Sequence, residues 1–255
     1  MKKFARLALL GIALAAALTA AAFVKGGTAS AASPQATGTP TSHKGCGDDI
    51  ACVINFGNAA IDLRLADLQK LIDRVNTRKG LTESQRDPII NSANIAIGGL
   101  HTLHQKLDDD TVIATARADV QSIYTQFRIF AVQIPSDYAQ LWLDDLSNVH
   151  DIFVSKEPTI EQEIQKYGSP GNTQALYTDL VSQVNTASTS ISSGQGLIPS
   201  LIPSNYPGTT QTLATLKGDL KAARTDLDTA HSDLKQIIAA LKAAAATSVT
   251  PTPTA

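Results

Sequence analysis

Cysteine is almost absent: Cys46 and Cys52 are the only two in 255 residues. With no Cys-x-x-Cys pair and only His43 close by, a cysteine-built metal centre has little to stand on, and covalent haem attachment lacks its Cys-x-x-Cys-His signature. Aromatic residues make up 5% of the chain, so the few rings should go where packing needs volume. Catalytic signatures are missing too. There is no Gly-x-Ser-x-Gly elbow, no His-Glu-x-x-His, no phosphate-binding glycine loop, and no Glu-x-x-His of the di-iron bundles. Basic excess is also lacking. The formal net charge is −2 and becomes −6 if residues 1–31 are removed, because they carry Lys2, Lys3, Arg6 and Lys25 and no acid. That balance argues against a nucleic-acid partner, which needs a basic face to displace counterions from phosphate.

Only one stretch is long and apolar. Leu7–Val24 follows the basic residues Lys2, Lys3 and Arg6 and precedes a small-residue site at Ala29-Ser30-Ala31. This order predicts an export signal over 1–31, with an uncleaved membrane anchor as the alternative reading. No cysteine follows the run closely enough for bacterial lipid attachment. Any membrane association is therefore expected through this segment alone. Export places Cys46 and Cys52 in an oxidising compartment, where a pair this close forms one small disulfide loop at the start of the first helix. Residues 32–45 read as a flexible linker rich in Pro, Thr and Ser, and 247–255 as a Thr/Pro tail.

Between them, residues 46–246 carry helical periodicity. Leu213, Leu216, Leu220, Ala223, Leu227, Ala230, Leu234, Ile237 and Leu241 fall at alternating steps of three and four, a heptad seam of the coiled-coil kind. The first helix, about Ile50–Arg78, repeats it through Ile54, Ile61, Leu65, Leu68, Ile72 and Val75, with Gly57 and Asn58 interrupting. The second does so through Ile89, Ala93, Ala96, Leu100, Leu103 and Leu107. It starts either at the capping-box sequence Thr82-Glu83-Ser84-Gln85 or at Asp87-Pro88. Gly98-Gly99 at its middle would admit a close neighbour. A third helix, capped by Asp110, carries Ile113, Ala116, Val120, Ile123, Phe127 and Phe130. A break is expected at Ile134-Pro135-Ser136-Asp137, with Ser136 or Asp137 capping the fourth helix and a bend or restart at Pro158. A fifth runs over about Thr173–Ser192. The prolines of 194–208 exclude a continuous helix there. The expectation is an all-α fold: an elongated antiparallel bundle of about five to six helices with heptad-type seams.

Few residues suggest chemistry. His101, His104 and Asp108 share one helical surface and are proper zinc or copper ligand types. Against this, no second ligand cluster completes the set, and an exposed helix face explains them. Phe127, Tyr138 and Trp142 belong to an aromatic concentration that suggests either a ligand pocket between helices or the packed middle of a core. No cofactor is implied.

Leu81-Thr82-Glu83-Ser84-Gln85, the run Ala116-Arg117-Ala118-Asp119-Val120-Gln121-Ser122-Ile123-Tyr124-Thr125-Gln126-Phe127-Arg128-Ile129-Phe130, Leu220-Lys221-Ala222-Ala223-Arg224-Thr225-Asp226-Leu227 and the Pro203-Ser204-Asn205-Tyr206-Pro207 turn resemble a group of uncharacterised exported helical proteins of high-GC Gram-positive and related bacteria. The resemblance spans most of residues 60–242 through helix-packing motifs. It implies an exported bundle and carries over no functional residues. The expected role is non-enzymatic: structural, adhesive or protein-contacting, secreted or at the cell surface. The alternative is an extracytoplasmic module binding a metal ion or an apolar ligand.

Overall fold

The computed structural model describes residues 45–247. The expected export segment, the expected linker up to Lys44 and the residues beyond Thr247 lie outside the described residues. Among these residues the chain is helical, with no strand. It divides into two compact units whose boundaries fall inside helices, between Asp144 and Asp145, Gly194 and Gln195, and Lys217 and Gly218. No helix among the described residues is long and apolar enough to cross a membrane.

The first of these units, reading from the N-terminus, contains α1 (Ile50–Thr77), α2 (Glu83–Asp108) and α3 (Ile113–Ser122). Cys46 and Cys52 are disulfide-bonded, and Asp49 caps α1 by accepting the Cys52 N–H at 3.2 Å. The covalent loop and the cap thus fix the same first turn. Of the two possible starts for α2 the Thr82 one is used: Gln85 Oε1 accepts the Thr82 N–H at 2.9 Å, leaving Pro88 inside the helix.

All six residues of the α2 seam are buried. They face Val53, Ile61, Leu68, Leu71, Ile72 and Val75 of α1 and Ala116, Val120 and Ile123 beyond. Burying each large aliphatic side chain contributes about 1.5–3 kcal/mol, so this shared face dominates the unit's stability. Ile54 and Leu65 are only partly buried at its edge. Asn58 Nδ2 donates to Asp108 Oδ1 at 2.7 Å, tying the start of α1 to the end of α2 and fixing them antiparallel. Gly57 sets the approach distance, since a Cβ there would lie 2.7 Å from Val120 Cγ2 and 2.9 Å from Leu107 Cδ1.

The chain departs from expectation after α2. Asp110 does not cap α3, which starts after Val112 without a side-chain cap. Asp110 is instead half-buried beside Asp119, and burial followed by the Asp119 charge pushes its carboxyl upward. The expected break at Ile134-Pro135 is displaced to Arg128. There φ is 42° and ψ is 39°, between π-helical turns at Ile123–Phe127 and Ile129–Gln133. The second turn pairs the Ile134 N–H with the Ile129 carbonyl, five residues back. Pro135 therefore enters where a new α-register begins, a position that needs no donor. Neither Ser136 nor Asp137 is a cap, and both are buried. From there α4 (Ile134–Lys166) runs unbroken through Pro158.

This unit also holds residues 195–217, where 3-10 turns at Ile198–Ser200 and Pro203–Asn205 replace the excluded helix. Leu201 is buried while Ile202 is exposed.

The other unit comprises residues 145–194 and, within the described span, 218–247. It takes the later part of α4, most of α5 (Thr173–Leu197) and most of α6 (Thr209–Thr247). Phe153, Ile160 and Ile164 form its buried row on α4, and Leu180, Val184, Ala187 and Ile191 that on α5. On α6 every seam residue from Ala223 to Leu241 is buried. Ser193 near the end of α5 donates to Asp219 Oδ2 near the start of α6 at 2.8 Å, tying the end of one helix to the start of the other.

Candidate functional site

The three proposed metal ligands separate on α2. His101 is exposed. His104 Nδ1 lies 3.1 Å from Asp108 Oδ2, while the other oxygen of Asp108 is the acceptor for Asn58. Asp108 therefore serves as an interhelical tie. Among the described residues no group of three His, Cys, Asp or Glu side chains is arranged to hold a metal ion. His150 is paired with its neighbour Asp151, Nδ1 to Oδ1 at 3.0 Å.

Phe127, Tyr138 and Trp142 all pack, partly buried, against the core of the first unit. Tyr138 and Trp142 do not line the hollow that Phe127 borders. The Tyr138 ring receives the Arg74 guanidinium at 5.4 Å. Phe127, swung inward by its π-helical turn, lies across Gly99 of α2, where a Cβ would be 2.6 Å from its Cε1. Gly98 has nothing within 4 Å of the same position, so only one glycine of the pair admits a close neighbour. Beside this contact is a hollow of about 310 Å³. One wall is Thr102 and Lys106, the other Asp119, Ser122 and Gln126, with Gly99, Leu103 and Phe127 completing it. Lys106 Nζ and Asp119 Oδ1 meet at 2.7 Å on its rim.

The most unusual electrostatics belong to residues with no obvious sequence motif. Arg64 is 6% exposed. Its Nη1 donates to the Ala60 carbonyl at 2.6 Å, and its guanidinium lies 4.7 Å from the Tyr124 ring centre and 4.8 Å from that of Phe130. No carboxylate among the described residues pairs with it. Burial lowers its pKa, opposed by the Tyr124 phenol, and ring faces take the place of a counter-ion. The one available signal was a charged residue at seam spacing between Ala60 and Leu68. Arg128, in its left-handed conformation, stacks 4.0 Å from the Tyr206 ring centre and so ties the 203–208 turn to the helix break. Asp137 is 6% exposed, and both its oxygens accept from Gln133 Nε2, at 3.1 and 2.9 Å. Burial pushes its carboxyl up to about 6 despite those bonds.

Some large apolar side chains of the first unit stay exposed. Phe56 and Leu63 are two turns apart on one side of α1 and are exposed, and Phe130, whose inner face covers Arg64, is 44% exposed.

No family model matches this chain, and no curated protein or solved structure was found to be similar to it.

Proposed function

We propose that this is a non-enzymatic exported helical protein whose work is contact, as a structural, adhesive or protein-binding element at the cell surface or in the medium. The observation that carries this reading is the exposure of large apolar side chains, Phe56 and Leu63 on one side of α1 and Phe130, whose ring also covers Arg64. Aromatic and arginine side chains are the residue types enriched where proteins bind one another. The Cys46–Cys52 disulfide supports an oxidising compartment, and the basic-then-apolar start of the chain supports export.

Native mass spectrometry of the protein released by its own host tests this reading, together with cell fractionation. The expected result is an oxidised chain outside the cytoplasm that associates with the host surface or a partner protein, and an association weakened by Phe56→Ser with Leu63→Ser. A reduced, cytoplasmic chain, or catalytic turnover, would overturn it.

The hollow beside Phe127 favours a second reading, a small extracytoplasmic binding module. That reading requires a stoichiometric bound mass in the same spectrum. Loss of that mass on His101→Ala would assign a metal. A Trp142 fluorescence response to an added apolar ligand would assign the aromatic side.

A further inference from the structure

Asp137 is a buried acid, and among the described residues no cation pairs with it. Its carboxylate sits in the first turn of α4, just after the second π-helical turn ends at Gln133. The Gln133 amide donates to both its oxygens and also to Ser92 Oγ of α2, so one side chain joins three points across two elements. Every one of these partners is neutral. The charged groups on the surrounding elements are engaged elsewhere. From α1, Arg74 lies on the Tyr138 ring and Lys70 is bonded to Asp67. On α2, Arg86 Nη2 donates to the Arg78 carbonyl at 3.0 Å. Arg128 is on Tyr206, and Asp144, two turns along α4, accepts from Gln140. None of them contributes to the environment of the Asp137 carboxyl, which is set by burial against hydrogen bonds from Gln133 and Ser92.

We propose that Asp137, Gln133 and Ser92 form a proton-operated latch that holds the start of α4 to α2 when Asp137 is protonated and loosens that junction when it ionises. A neutral carboxyl supplies a donor that Ser92 or a turned Gln133 amide accepts, and every partner is then satisfied at no charge-burial cost. An ionised one confines a full charge among neutral groups, and opening the junction returns that charge to water.

The sign follows from linkage. The carboxyl is near 6 in the closed state against an ordinary 3.8, so the closed state binds more protons between those values. Protection is complete below about 4, falls as pH rises through 6, and levels off above. The full span corresponds to about a hundred-fold in the opening equilibrium. About twenty-fold of it falls between pH 4.5 and 7.5. An exported protein meets that range when its surroundings acidify.

Amide hydrogen exchange over Gln133–Asp137 and around Ser92, corrected for intrinsic rates, reads the latch in the full chain, and carboxyl-carbon NMR gives the Asp137 midpoint. In the wild type, protection should fall about twenty-fold from about pH 4.5 to about pH 7.5. Asp137→Asn should remove that dependence. Ser92→Ala deletes a donor to the ionised form, so it should raise the carboxyl midpoint and shift the fall to higher pH. The Ser92 variant keeps the test decisive if Asp137→Asn folds poorly. A midpoint in the ordinary carboxylate range, or an Asp137→Asn profile that follows the wild type, would overturn the proposal.

Discussion

Gly98 and Gly99 are adjacent on one helix and should respond to the same substitution with opposite signs. Replacing either by Ala removes the entropic penalty of glycine inside a helix, a gain of about 0.8–1 kcal/mol. At Gly98 nothing lies within 4 Å of the new methyl, so the gain should be realised in full. For a chain of this size that raises Tm by about 2–4 °C. At Gly99 the methyl would stand 2.6 Å from Phe127 Cε1 and 3.1 Å from Cζ. Carbon atoms rest at about 3.5–4.0 Å, so the ring must retreat by about 1 Å. Phe127 belongs to a π-helical turn next to the left-handed Arg128, which limits how it can move. Overpacking of this kind costs about 1–3 kcal/mol. Since the helix gain is common to both variants, the difference between them measures the clash alone, about 1–3 kcal/mol in favour of Gly98→Ala. Urea unfolding followed by far-UV circular dichroism gives both values. A cycle with Phe127→Ala completes the test, because without the ring Gly99→Ala should become as favourable as Gly98→Ala. If Gly99→Ala stabilises the wild-type chain as much as Gly98→Ala does, Phe127 does not rest on α2 and the hollow beside it is not as described.

Three further outcomes follow from the same packing. Gly57→Ala should destabilise by up to about 2 kcal/mol net in a urea melt, because its methyl meets the fully buried Val120 and Leu107 and the clash outweighs the helix gain. Arg64→Met should be close to neutral, within about 1 kcal/mol, since it replaces an unpaired buried cation by an apolar chain of similar reach. Arg64→Ala should cost about 2–4 kcal/mol by leaving Tyr124 and Phe130 over a cavity, and equal losses for the two variants would show that the charge itself is needed. Reducing the Cys46–Cys52 bond, or changing both residues to Ser, should lower stability by about 2 kcal/mol. The accompanying loss of amide protection should be confined to the first turns of α1, and unfolding of α2 in the reduced protein would refute that localisation.

Much of the helical fold was legible in the chain because its signals are local. The α2 seam repeats every three or four residues, and all of its predicted positions are buried, since helical geometry alone puts them on one face. The Thr82-x-x-Gln85 start, one of two that the sequence offered, and the Cys46–Cys52 loop were readable for the same reason, each closing over a few residues. The candidate site was read less well. His101, His104 and Asp108 share a helix face as spacing requires, yet Asp108 is taken by Asn58, fifty residues away. Phe127, Tyr138 and Trp142 are all partly buried against one core, the second of the two readings their sequence offered.

Sequence by itself determined the helices, their inward stripes and the loop that staples the first of them, because these depend on neighbours within one or two turns. Tertiary structure alone decided where the helix after α3 breaks. Arg128 takes a left-handed backbone where Phe127 reaches Gly99 and Tyr206 stacks on its guanidinium. It also decided that Arg64 and Asp137 are buried, the first between rings of Tyr124 and Phe130, the second among neutral partners. A charge's burial depends on what distant segments bring over it, and no local period in the chain encodes that.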